Sequence, residues 1–436
     1  MKMTERIVRI GLVFLVLLSL YLSVSIWVSS AKKEKPVKND PQLATAVVNE
    51  RADTDVFLPM RLVRMQDGKS EMNNSENLIT NIQNEIKNSK FGELIQTVQG
   101  NSEQFDKYLV MDQGFELLYE GPFLLSEYIS VYNLALNLTD INNNADIYFT
   151  CIQVDLSQNK IRFLDFNRKD VYEAPITIDN EKALTLMNKV SVQYNQISEQ
   201  QAIAGKHYFM SEDLKMKKYS YILASQPVTK FRNAFFSNTE NIQTNEDSKD
   251  LSYTSGSERL VAEEKLGTIH FNGELGTRTP EDNIYSDSFD YVKKLGTNMG
   301  NIRYFDRSNS EINYRTFVEG YPVFSENDKG QVRITIDNDK AEKTSVVIET
   351  SVDTIQVPIP SEEEVILKST ENLLEQLAAN GADQEKINSM VIGYTWHKIE
   401  EITQVVDLTP EWYIRYDNKW YPERELLEHL AKLEVG

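Results

Sequence analysis

Cysteine is almost absent from this 436-residue chain: Cys151 is the only one. No intrachain disulfide can form, so the fold has to be held by its core, and a cysteine this far from the N-terminus excludes lipoprotein-type lipid attachment there. Histidine is scarce too. The four, at positions 207, 270, 397 and 429, stand at least 32 residues apart, and neither His-Glu-x-x-His nor a paired-Cys spacing occurs, which leaves only a metal site assembled in tertiary structure. The chain also lacks a Gly-x-Ser-x-Gly elbow, a Walker loop and a dinucleotide fingerprint. Ser-x-x-Lys occurs at 157–160, on an expected hairpin turn open to water, and at 30–33, in both places without the Ser-Asp-Asn or Lys-Thr-Gly companions that such chemistry needs. Asp140-Ile141-Asn142-Asn143-Asn144 opens like a calcium loop, but Ala145 replaces the sixth-position glycine and Cys151 the closing glutamate. The 66 acidic residues guarantee carboxylate pairs by chance and so nominate no glycosidase. The expectation is a protein that is not an enzyme and holds no cofactor.

Basic charge is short as well. Against 66 Asp and Glu stand 46 Lys and Arg, a net of -20. Residues 1–40 hold seven of those bases and three of those acids, leaving 39 and 63, a net of -24, for the remainder. Such a body is repelled by DNA, RNA and anionic headgroups, and no basic face with interleaved aromatics appears, so nucleic acid is excluded as a partner.

What is present first is one long apolar run. Residues 10–28 carry no charge, and at about 1.5 Å rise per residue they reach about 28 Å, the thickness of a bilayer core. This is an expected membrane span, with Arg6 and Arg9 before it and Tyr21 and Trp27 toward its far end. Lysines at 32, 33, 35 and 38 blunt the local charge bias, so orientation rests on length: nine residues precede the span and a large domain follows. A signal anchor with its N-terminus inside results, the bulk of the chain being extracytoplasmic at the cell membrane. Ser29 and Ala31 would suit cleavage, yet the run exceeds the usual length of a signal-peptide core. Gly11, Leu15, Ser19, Ser23 and Trp27 recur every four residues and share one ridge, on which Gly11, Ser19 and Ser23 are small enough for a partner helix to approach. The bland reading is a featureless anchor whose serines bond their own helix.

The spacing then predicts α+β organisation with antiparallel sheets: a tail at 1–9, the span at 10–28, a tether at 29–52, and domains at 53–175, 176–280 and 281–436. A strand over 56–65 closes at the Asp67-Gly68 turn, and Leu78, Ile79, Ile82 and Ile86 mark a helix that Phe91, Leu94, Ile95 and Val98 extend past Gly92. A strand over 108–119 leads to a helix opened by Pro122, followed by a hairpin of 147–156 and 161–166. A helix over 181–194, a strand over 219–223 and a Pro227-led helix come next. Gly, Pro, Asp and Ser at 276–288 mark a boundary. Beyond it lie a meander (302–305, 314–318, 323–324) and a pair of strands around an Asn338-Asp339 turn. A helix then follows, with Ser361 and Glu364 as capping box, Ile366, Leu373, Leu374 and Leu377 on its face, and Gly381 as stop. The last hairpin turns at Asp417-Asn418 with Tyr416 opposite Lys419, Arg415 opposite Trp420 and Ile414 opposite Tyr421, so that the Arg415 guanidinium can lie against the Trp420 indole. Its aromatics give a candidate binding face of Trp396, Trp412, Tyr413 and Trp420. That face is open to two readings, a sugar-stacking platform or cross-strand core packing.

Four stretches carry a family likeness: Tyr253-Thr254-Ser255-Gly256 with Arg259, Glu319-Gly320-Tyr321-Pro322-Val323-Phe324, Ile392-Gly393-Tyr394, and Leu408-Thr409-Pro410-Glu411-Trp412-Tyr413. With the layout of tail, span and acidic ectodomain, the chain resembles the YycH (WalH) family, membrane-anchored regulators of a Gram-positive sensor kinase. The resemblance implies a non-enzymatic role with YycI as companion, adjusting the WalK kinase that controls cell-wall metabolism through WalR, and a C-terminal third similar to YycI itself. It also implies contact between the membrane helix and the kinase spans, which gives the Gly11, Ser19, Ser23 ridge a partner. The alternative is an extracytoplasmic module sensing a cell-wall fragment or other ligand through the C-terminal aromatics. Self-association stays open, as does the sign of the effect on the kinase.

Overall fold

The structure is a computed structural model that describes residues 50–138, 146–200, 207–245, 250–275, 283–337, 344–399 and 404–434. The expected span with Gly11, Leu15, Ser19 and Ser23, the calcium-like opening at 140–144 and the Asn338-Asp339 turn lie outside the described residues. Among the described residues, no helix is long and apolar enough to cross a membrane.

The expected α+β class with antiparallel sheets is what folds. A ten-stranded sheet takes its strands from residues 61–210 and a fourteen-stranded sheet from residues 219–422, with a separate two-stranded pair of Leu214–Lys217 and Glu364–Leu367. The pairs are antiparallel except for Tyr321–Phe324 against Ile387–Lys398, which is parallel. Antiparallel order follows from tight turns where the chain can adopt positive φ: Asp67 and Gly68 at 53° and 72°, Asn159 at 53°, Asp417 and Asn418 at 50° and 63°. The closing hairpin has the expected register, Tyr416 on Lys419, Arg415 on Trp420 and Ile414 on Tyr421.

Several local expectations are overturned by competition between helix spacing and sheet pairing. The first strand starts at Arg61, because Asp53–Val56 takes a helical turn instead. The helix Glu76–Lys87 buries Leu78, Ile79, Ile82 and Ile86 as expected but stops there. Lys90–Phe91 and Ile95–Val98 pair with Asp170–Thr177, and the Gly92 N–H donates to the Pro175 carbonyl at 2.8 Å. The helix expected after Pro122 is present as Leu125–Tyr132, but Pro122 itself lies before it. It sits in the strand Gln113–Leu124, where the register against Tyr148–Asp155 shifts between Leu118 and Phe123, an irregularity that tolerates a residue without an N–H. The helix expected over 181–194 ends at Met187. The helix expected from Ser361 starts at Thr370, capped by the Ser369 hydroxyl, because Glu364–Leu367 pairs with Leu214–Lys217; the Ser361 hydroxyl accepts from the Glu363 N–H instead of building a capping box.

The two large sheets are joined by an aromatic cluster and one buried cation. Tyr285 and Tyr304 both donate to the Pro122 carbonyl, at 2.5 and 2.6 Å, and their rings crowd Phe57 and Phe123 at 5.0 to 6.5 Å. Gly121 permits that approach, since a Cβ there would lie 2.7 Å from the backbone at Asp306 and Arg307. Arg303, 1% exposed, donates to the carbonyls of Leu58 and Pro59 at 3.0 and 2.8 Å and to Glu76 at 2.9 Å, with its guanidinium 4.4 Å from the Phe317 ring centre. Burial holds its pKa below the usual arginine value while Glu76 opposes the shift.

Arg303→Met is expected to lower unfolding free energy by about 3 kcal/mol, because two buried carbonyls lose their donor. Urea titration followed by tyrosine and tryptophan fluorescence checks this, and an unchanged midpoint contradicts it. Gly320 has φ 81° and a Cβ there would sit 1.9 Å from the Asn74 carbonyl oxygen, so Gly320→Ala is expected to cost about 2 kcal/mol in the same titration.

Candidate functional site

Three of the four family-like stretches meet at one short strand, while Tyr253–Gly256 with Arg259 lies in a separate hairpin of the same sheet. Glu319 and Gly320, with φ of 50° and 81°, turn the chain from Glu311–Val318 into Tyr321–Phe324. That strand then lies between Glu311–Val318 and Ile387–Lys398, with Val323 on Tyr394. Gly393 makes room for it: a Cβ there would meet the Phe324 ring at 2.6 Å and the Pro322 carbonyl at 2.9 Å. Phe324 stacks on Tyr413 with centroids 3.7 Å apart and planes 9° apart. The Tyr413 hydroxyl bonds the Thr395 hydroxyl at 2.7 Å, which donates to Glu411 at 2.9 Å. Burial pushes the phenols of Tyr394 and Tyr413 far up, keeping both neutral.

Two clefts of about 850 Å³ flank this strand, Tyr321 lining one and Phe324 the other. The Tyr321 cleft is also lined by Asn73, Asn74, Glu319 and Tyr394. The Phe324 cleft runs between the turn at Asp328 and the closing hairpin. Arg315 lines it: the guanidinium lies 4.0 Å from the centre of Phe324 and 5.1 Å from that of Phe305, Nη1 donates to the Val323 carbonyl at 3.2 Å, and Nε has no partner. Burial pushes this group down to about 10, opposed by the charge of Asp306.

The four aromatics of the expected binding face are distributed as follows. Trp396, Trp412 and Tyr413 are 7%, 4% and 4% exposed, and Trp420 is half-buried. Trp412 and Tyr413, being consecutive in a strand, point to opposite sides of the sheet. Trp412 joins the core that also holds Trp396 and donates from its indole to the Lys368 carbonyl at 3.0 Å, whereas Tyr413 packs with Phe324 and Trp420. Trp396, Tyr413 and Trp420 line the Phe324 cleft, and Trp412 lines a smaller one. The expected contact between Arg415 and the Trp420 indole is made through a third residue: the indole N–H donates to Asp306 at 3.0 Å and the guanidinium stands 3.9 Å from the same carboxylate.

The sequence reading singled out neither Arg315 nor Arg303, Asp306 or Glu120. A signal was present: in Glu311–Val318 the charge of Arg315 falls among Tyr314, Thr316 and Phe317 in a strand buried on both faces. Among the described residues no group of three or more His, Cys, Asp or Glu side chains converges as metal ligands.

The smaller cleft, about 430 Å³, holds a buried carboxylate. Glu120 accepts from Arg61 at 2.8 Å and from the Ser389 hydroxyl, yet burial outweighs both partners and raises its pKa. The folded state therefore keeps this proton to higher pH than the unfolded chain, whose glutamates titrate near about 4.3. Its contribution to stability is present below that value and is lost as pH rises through the raised pKa. Glu127 and Asp165 shift in the same direction. Glu120→Gln is expected to flatten part of the decline in urea midpoint as pH rises above the ordinary glutamate range of about 4.3, and an unaltered slope contradicts the assignment.

A family profile described as "YycH protein, C-terminal domain" matches residues 204–426. A search among curated proteins finds no match. Among solved structures the chain is similar to the crystal structure of YycH from Bacillus subtilis, with a TM-score of 0.66 and 14% identity over 86% of this chain and 98% of that one. At that identity the likeness speaks to the fold. The profile spans more than half of the chain and takes in all four family-like stretches: the chain belongs to the YycH family.

Proposed function

We propose that this protein is a non-enzymatic, single-pass membrane-anchored regulator that adjusts the WalK sensor kinase, together with YycI, in the control of cell-wall metabolism. Family membership is the observation that carries the reading, since it supports a general regulatory role in the WalK/WalR system. The use of the family-like residues agrees with it. Gly320 and Gly393 admit the strand Tyr321–Phe324, Phe324 and Tyr413 stack, the Trp412 indole bonds a carbonyl, and the Tyr394 hydroxyl donates to the Lys217 carbonyl at 3.2 Å. Residues spent in this way fix the shape of a surface, which is what a protein acting by contact requires.

The mechanism has two parts. An extracytoplasmic body meets the companion and the kinase at the outer face, and the helix over 10–28 packs on the kinase spans along Gly11, Leu15, Ser19 and Ser23, where small residues permit close approach. Affinity purification of the full chain from native membranes, with mass spectrometry of the co-purified proteins, tests both. WalK and YycI are expected in the eluate. Ser19→Leu with Ser23→Leu is expected to reduce WalK recovery roughly threefold or more while leaving the chain in the membrane fraction. Recovery of neither partner overturns the regulatory reading, and unchanged WalK recovery with the double variant removes the ridge from it.

A further inference from the structure

The Phe324 cleft is unusual for so acidic a chain. Six Lys or Arg and four Asp or Glu line it, in a protein of net charge -20. Some of that positive charge is already matched: Arg333 bonds Glu349 at 2.7 Å and Asp328 at 2.9 Å, and Lys329 stands 3.3 Å from Asp353. The remainder is not. Among the described residues, Lys398, Lys419 and Arg424 form no ion pair, and all three are exposed at the rim, Lys419 lying over the Tyr421 ring.

Arg315 differs from these in being 93% removed from solvent, at 7% exposure. A buried cation is ordinarily held by a carboxylate. Here the acceptor is one neutral carbonyl, on Nη1, while Nε has no partner. Nε and the adjoining Nη2 form the edge of a guanidinium that receives a carboxylate through two parallel hydrogen bonds. Two aromatic rings hold the group in place, so little side-chain freedom is lost when an acceptor arrives. The helix Glu423–Glu434 adds to the field, because its first turn borders the cleft through Pro422, Arg424 and Glu425 and its free N–H groups favour negative charge.

We infer that this cleft binds a carboxylate-bearing peptide, with the Arg315 guanidinium as anchor and Lys398, Lys419 and Arg424 as the rim that draws it in. A carboxylate fits better than a phosphate because Glu326, Asp328 and Glu425 share the wall and oppose a second negative charge. Ser325 and Asn418 supply hydroxyl and amide groups for a peptide backbone. The inference is independent of the membrane-helix contact proposed above.

Calorimetric titration of the full chain in detergent tests it, using an acetylated and amidated peptide Ala-Glu-Asp-Glu-Ala, its neutral counterpart Ala-Gln-Asn-Gln-Ala, and inorganic phosphate. The acidic peptide is expected to bind and to weaken as salt is raised, with the other two at least about tenfold weaker. Lys419→Glu combined with Arg424→Glu changes only exposed side chains and is expected to weaken the acidic peptide at least about tenfold, with Arg315→Gln weakening it further. If Arg315→Gln does not fold, the rim variant alone decides. Equal binding of the neutral peptide, phosphate binding as tightly as the acidic peptide, no heat from any probe, or an unaffected rim variant each overturns the inference.

Discussion

The constraint on which most of this molecule depends is that Arg303 has no route to water. Its Nη atoms are held by the backbone of Leu58 and Pro59 and by Glu76, while Nε has no partner, and those three groups belong to the segment that precedes the first strand and to the helix Glu76–Lys87. The two large sheets are therefore locked at a fixed spacing by a group whose desolvation is tolerable only when all of its acceptors are in place. The aromatic cluster around Phe57 and Phe123 supplies the apolar area, but apolar contact is non-directional. The arginine and the two tyrosine hydroxyls on the Pro122 carbonyl supply the geometry.

The glycines belong to the same logic. Gly121, Gly320 and Gly393 each stand where a Cβ would overlap neighbouring atoms, and each marks a place where one part of the sequence is pressed against another: 121 on 306–307, 320 on 74, 393 on 322–324. The clefts on either side of Tyr321–Phe324 result from this placement. A short strand inserted between two longer ones leaves a cleft on either side, and Glu319, Gly320, Tyr321 and Tyr394 line one while Phe324 and Tyr413 line the other. Three of the four motifs, separate in the sequence, pack together at this strand; the fourth, at 253–259, lies elsewhere in the sheet.

Legibility followed the range of the interactions. Turns and neighbouring strands were readable because their signals are local: Asp417-Asn418 fixed a register that the structure has, and the alternation at 332, 334 and 336 marked a real strand. The failures came where partners are distant. Phe91 to Val98 has helical spacing but pairs with a strand some eighty residues on, and Glu364–Leu367 pairs with residues near 215. Pro122 resembled a helix opener because nothing local announces an irregular strand. In the candidate site, Tyr413 and Trp420 were legible as strand aromatics, whereas Arg315 had only its apolar neighbours Tyr314 and Phe317 as a local sign, and the tertiary packing is what shows that it does not point to water.

The first described residues bear on the anchored regulator proposed above. Glu50 stands 3.0 Å from Lys293, Arg51 donates to the Gly300 carbonyl at 2.6 Å, and Phe57 is fully buried among the rings that join the sheets. The chain is thus fastened to residues 293–304 within eight positions of its first described residue. A tether of free coil would absorb any displacement arriving from the membrane side by changing its own dihedral angles. A segment fixed by a buried arginine, an ion pair and an aromatic core leaves no such slack at this end. Arg51 holds the Gly300 carbonyl and Arg303 holds Glu76, so this end of the chain is tied through residues 300–303 to the helix that packs with the first sheet. For the anchored regulator proposed above, such stiffness is the property that would let helix packing and ectodomain contacts bear on one another.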